Sequence, residues 1–88
     1  MQNNNEETKI FNINEVRQRR ASDMLECTYE ALEEKGYNSI NQLVNYLISG
    51  EPTYITSHNN ARHRICEVER EDLLEVLLLN YFKGEGES

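Results

Sequence analysis

The sequence predicts an all-α domain: a small bundle of four helices, one of them short, completed by a second copy of itself. Three observations predict it. Apolar residues recur at helical spacing through "NSINQLVNYLISG" and "REDLLEVLLLNYFK", with almost no strand-like alternation. Breakers fall between the periodic stretches, at Gly36, Gly50 and Pro52. The last periodic stretch is apolar around most of its circumference, and three other helices in so short a chain can cover only one side of it.

The elements follow in order. Residues 1–12, including "NNNEETKIFN", are polar and lack periodicity, so they read as a disordered regulatory tail. Helix one is expected from about Asn14 to Lys35, with Asn14 as N-cap; Ser22-Asp23 is an alternative, later start. Leu25, Tyr29 and Leu32 share one face, and Gly36 ends the helix in a left-handed conformation. Helix two carries Ile40, Leu43, Val44, Leu47 and Ile48 as a core-facing stripe. Asn38 can cap it, and Ser39 with Gln42 forms a potential capping box. Gly50 closes it, and Pro52 blocks continuation. A loop over 51–60 follows, anchored by Tyr54 and Ile55. Asn59 or Asn60 then caps a short third helix, with Ile65 and Val68 inward. Helix four has Glu71 and Asp72 near its start and Lys83 at its end, in accord with the helix dipole. Its expected face is Leu73, Leu74, Leu77, Leu78 and Tyr81, with Val76 and Leu79 elsewhere. From that face Leu73, Leu77 and Tyr81 are assigned to the dimer interface. The domain spans 13–83, and 84–88 form a second disordered tail.

Composition narrows function. A chain of 88 residues is one domain with a thin core, and below ~70–80 residues of folded body a staple or partner is usual. Cys27 and Cys66 are far apart and outside any paired motif, so reduced thiols and a cytoplasmic setting are expected. Met1 leads into Gln, Asn and Glu rather than a signal peptide. Val76-Leu77-Leu78-Leu79 is the longest apolar run, too short for membrane insertion. Sixteen acids against nine bases leave a net charge of −7, which disfavours nucleic acid and anionic lipid as partners.

No pattern carries catalysis or a cofactor. His58, His63, Cys66 and Cys27 have no paired zinc-ligand spacing, and the scattered carboxylates read as solvated helix surface. There is no Gly-rich phosphate loop. The bases cluster at Arg17, Arg19 and Arg20, and at His58, Arg62, His63 and Arg64. In an acidic protein these are either surface ion pairs, such as Arg64 with Glu67, or a docking face for an acidic or phosphorylated partner. His58, Arg62 and Arg64 are the assigned partner-binding residues. Thr8 is a lone tail hydroxyl placed directly after Glu6 and Glu7, within reach of a kinase cleft. The rival class is a small helix-turn-helix DNA binder with "NARHRIC" as recognition helix.

"YEALEEKGYNSINQLVNYLISGEPTYI", "ARHRICEVEREDLLEVLLLNYF" and "TKIF" closely resemble the IreB family of small regulatory phosphoproteins of Gram-positive bacteria, over about residues 8–83. The resemblance implies an all-helical homodimer without enzymatic activity. It implies a substrate of a membrane-anchored Ser/Thr kinase with extracellular PASTA repeats, and of its phosphatase. Such proteins adjust cell-envelope homeostasis and tolerance of wall-active antibiotics. Part of the family acts through Clp-dependent turnover of the enolpyruvyl transferase that begins peptidoglycan precursor synthesis. A cell-wall enzyme or a Clp protease component is therefore an implied partner, and Thr8 matches the phosphorylated tail threonine. The chain departs from the family pattern at Ser39, where proline is usual, at Thr56-Ser57, where a proline and a basic residue are usual, and at Cys66-Glu67, where an Arg-Lys pair is common.

Overall fold

The computed structural model describes the backbone of residues 2–84 and the side chains of residues 14–84. Four α-helices follow one another: α1 (Gln2–Glu34), α2 (Ser39–Ser49), α3 (Ala61–Ile65) and α4 (Arg70–Leu79). Two 3-10 turns, Pro52–Tyr54 and His58–Asn60, link α2 to α3, and a π turn, Asn80–Gly84, ends the described chain. The all-α class is as expected, with no strand among the described residues. The assigned α1 begins well before Asn14 and runs through the segment that sequence reads as a tail. The side chains of 1–13, Thr8 among them, lie outside the described residues, as do residues 85–88.

α1 is the spine against which α3 and α4 pack. Its buried positions are Ala21, Thr28, Ala31 and Leu32, with Met24 and Leu25 partly covered. Small Ala side chains let neighbouring helices approach closely. Leu32 is inward as expected, whereas Tyr29 is exposed. The helix ends as Gly36 predicts: φ is +81°, and the Tyr37 amide donates to the Leu32 carbonyl at 3.0 Å. That 6→1 bond closes the last turn only if the residue between is left-handed.

α2 rotates away from its expected orientation. Leu43 and Tyr46 are buried and Leu47 half-buried, but Ile40, Val44 and Ile48 face outward, Ile48 with 76% of its surface exposed. The connection holds the helix in that orientation. The buried Ser39 hydroxyl sits 3.2 Å from both the Tyr29 carbonyl and the Glu33 carboxylate, pinning the first turn of α2 to α1. Asn38 caps as expected, its side chain accepting from the Asn41 amide at 3.1 Å. The capping box does not form: Ser39 is turned to α1, and the Gln42 amide group donates to the Tyr54 carbonyl at 2.8 Å. Gly50, at φ +76°, lies under the Arg70 guanidinium, which would be 2.8 Å from any Cβ there. Arg70 Nη1 donates to the Leu47 carbonyl at 3.0 Å, so the first residue of α4 caps the last turn of α2.

The connection to α3 is tightly bonded. Glu51 caps the Pro52 turn through the Thr53 amide and hydroxyl. Ile55 anchors the loop in the core, whereas Tyr54 stays at the surface. Neither Asn59 nor Asn60 caps α3 through its side chain. Both take left-handed backbone, φ 55° and 62°, a conformation that Asn tolerates better than most residues. Ile65 and Val68 are inward as read. On α4, Leu73 and Val76 enter the core. Val76 therefore points opposite to its sequence-based assignment, while Leu74, Leu77, Leu78, Tyr81 and Phe82 face outward.

Candidate interaction surfaces

The basic residues separate once placed. Arg17 on α1 reaches Asp72 in the first turn of α4 with both Nη2 (3.1 Å) and Nε (3.4 Å). That hydrogen bond to Asp72, with the attraction of the carboxylate, raises the Arg17 pKa above its ordinary value. Arg20 pairs with Glu67 at 3.5 Å, and His63 approaches the same carboxylate at 3.3 Å from one turn earlier. Glu67 is thus shared by Arg20 and His63 rather than taken by Arg64.

The three assigned partner-binding residues differ in role. His58 Nε2 lies 2.7 Å from Glu34 Oε1, and Asn59 Nδ2 donates to the same oxygen at 3.4 Å. These contacts tie the left-handed segment to the C-terminal turn of α1. Arg62 Nε donates to the Ile55 carbonyl at 2.9 Å, while its amide donates to the Thr56 carbonyl at 3.0 Å. Arg62 therefore holds the loop closed. Arg64 makes no ion pair among the described residues and lies beside Cys27, Glu30, Glu34 and Asn59 in a polar cleft. α3 spans only five residues, and its Arg62 is bonded to the Ile55 carbonyl, which leaves little of a recognition helix. Among the described residues no cluster of three or more His, Cys, Asp or Glu is placed to hold a metal ion, and no helix is long and apolar enough to cross a membrane.

A second surface is largely apolar and open. α1, α2 and α4 enclose a groove of about 480 Å³ walled by Leu25, Tyr29, Ile40, Leu43, Val76 and Leu77, with Glu26 and Glu30 also lining it. Of the residues assigned to a dimer contact, Leu77 lines this groove at 41% exposure, and Tyr81 stands at 80% exposure on the π turn, its ring edge-on to Phe82 at 5.0 Å. Leu73 is fully buried in the chain's own core and presents no surface. It supports the face from beneath.

Residues 6–83 match the family described as IreB regulatory phosphoprotein. The chain belongs to the IreB family. It is also similar to a UPF0297 protein of Acetivibrio thermocellus, 49% identical over 79 residues that cover 90% of this chain and 88% of that one. The IreB match includes Thr8 and every residue assigned above to partner binding or dimer contact.

Several residues that organise this IreB-family surface have weak sequence signals. Glu34 looks like one more solvated acid near the end of α1, yet it receives both His58 and Asn59. Arg70 reads as the start of α4 but caps α2. Tyr46 lies just off the predicted stripe. It is buried, with its hydroxyl 3.7 Å from Cys66 Sγ, and burial, then that hydrogen bond, push its pKa up to about 12. Only Ser39 carries a clue, a hydroxyl at the start of α2 where a capping residue is expected.

Proposed function

We propose that the chain is a non-enzymatic, cytoplasmic regulatory phosphoprotein that works as a homodimer, with Thr8 as its phosphorylation site. The writer is a Ser/Thr kinase of the PASTA type and the eraser its phosphatase. The output is cell-envelope homeostasis, through peptidoglycan precursor synthesis and Clp-dependent turnover of the enolpyruvyl transferase, and with it tolerance of wall-active antibiotics. The observation that carries this reading is the family match over residues 6–83, which contains Thr8. The open groove at Ile40, Tyr29 and Leu77 supports a second copy as its cover, since soluble monomers rarely leave contiguous apolar surface of this kind uncovered.

The switch is electrostatic. A phosphate adds about −1.5 to −2 charge and three acceptor oxygens. On a chain already at −7 it repels an acidic partner or engages a cation that is not already held in an ion pair. Arg19 and Arg64 are among the described cations that meet that description, whereas Arg17, Arg20 and His58 are already engaged. The test is intact-mass measurement and phosphopeptide mapping of the full chain, after incubation with the kinase and from wall-stressed cells. One phosphate on Thr8, and a Thr8→Ala strain whose antibiotic tolerance no longer follows the kinase, are expected. Phosphate confined to Ser22 or Thr56, or a Thr8→Ala strain that responds normally, overturns the reading.

A further inference from the structure

We propose that the outer face of α4 is a docking groove for a basic amphipathic helix of a partner protein. Leu74, Leu78 and Phe82 succeed one another at i, i+4 and i+8, so they form one straight stripe running from α4 into the terminal π turn. Leu79, half-buried, floors a groove of about 500 Å³ beside them. Phe82 is 73% exposed, and the stripe has no cover among the described residues. A stripe of eight residues is about 12 Å long, enough for two turns of a partner helix to lie along it.

Two observations point to this occupant. The first is direction. Leu78 follows Leu77 by one residue, which on an α-helix turns the side chain by about 100°. The groove with Ile40 and Tyr29 lies on the Leu77 side, so a copy centred there sits on a different side of α4 from Leu78. This step rests on the homodimer of the proposed function occupying that groove. The second is charge. Glu71 and Glu75 line the groove one turn apart at its N-terminal half, and Lys83 is its single cation. A helix edged with Lys or Arg gains attraction at each of those acids, which outnumber the groove's one cation. The apolar stripe supplies the contact, and the acidic edge supplies orientation and selection against acidic partners.

The probe is a 14-residue acetylated Leu/Lys amphipathic helix, with a Leu/Glu helix of the same pattern as control, titrated into the isotope-labelled full-length protein. We expect amide shifts confined to the outer face of 71–83. We expect at least tenfold weaker binding of the Leu/Glu helix, of the Glu71→Lys/Glu75→Lys variant, and of Leu78→Ser, with helix content unchanged by circular dichroism. Shifts centred on Ile40, Tyr29 and Leu77, or equal binding of the two peptides, overturn the proposal. Sedimentation separates it from the dimer reading. If Leu77→Asp dissociates the protein and Leu78→Ser does not, both stand. If Leu78→Ser dissociates it, the second copy covers this face and the proposal falls. If the unsubstituted chain is already a monomer, the dimer reading fails while localised, charge-selective binding of the Leu/Lys helix still upholds the groove.

Discussion

The segment 51–67 and the outer surface of α2 and α4 satisfy themselves in opposite ways. The first is polar, loop-rich and left-handed at two residues, yet its groups are engaged: His58 and Asn59 with Glu34, Arg62 with the Ile55 carbonyl, Glu67 with Arg20 and His63. The second is regular helix, yet Ile40, Val44, Ile48, Leu74, Leu77 and Leu78 remain in water. Irregular backbone is thus the self-contained region here, and regular helix the incomplete one. Hydrogen bonds are short-ranged and directional, so one chain can close them locally. Apolar area is closed only by bulk, and a chain of 88 residues lacks the bulk.

The sharpest way to break this comparison is on α4 itself. Leu73 and Leu77 are one turn apart with the same side chain, one fully buried and one partly exposed. Leu73→Ala should cost about 2–5 kcal/mol, the range for a truncated core leucine. Leu77→Ala should cost far less in the monomer and act chiefly on association. Urea unfolding at low protein concentration checks the pair, and equal losses would mean that the outer surface is as structural as the core.

Next in size is Gly50→Ala. Left-handed backbone costs a non-glycine residue about 1–2 kcal/mol. The added Cβ also displaces Arg70, whose bond to the Leu47 carbonyl is worth about 1 kcal/mol more. A loss of about 2–3 kcal/mol by thermal or urea melting is expected. Gly36→Ala meets no atom within 4 Å and should lose only the backbone part.

Arg62→Ala tests the other region. A surface arginine would change stability by no more than about 0.5 kcal/mol. As a loop tie to the Ile55 carbonyl, Arg62 should be worth about 1–1.5 kcal/mol, and amide exchange should quicken over the 51–60 loop. An unchanged melt with unchanged exchange would return Arg62 to the role of a free docking side chain.

The smallest effect is at high pH. Tyr46 ionises in the unfolded chain near its ordinary value of 10, but only near 12 when folded. The folded state therefore holds its proton longer. Tyr46 contributes no pH dependence below 10, and stability falls as pH rises from 10 toward 12. Tyr46→Phe should flatten that part of the stability curve relative to the unsubstituted protein, and identical slopes would refute the assignment.

By itself the sequence determined the helices, their order and most of their ends. Asn38 as cap and the left-handed glycines at 36 and 50 are local chemistry, readable within a few residues. So is the family, because long shared stretches survive in the chain. The rotation of α2, the inward turn of Val76 and the binding of His58 to Glu34, 24 residues apart, were decided only by tertiary structure. Periodicity states that a helix has an apolar stripe. Where the stripe is wider than the core available to it, packing selects which edge is buried, and here that edge is Leu43, Tyr46 and Leu47, with Ser39 hydrogen-bonded to α1 at its start.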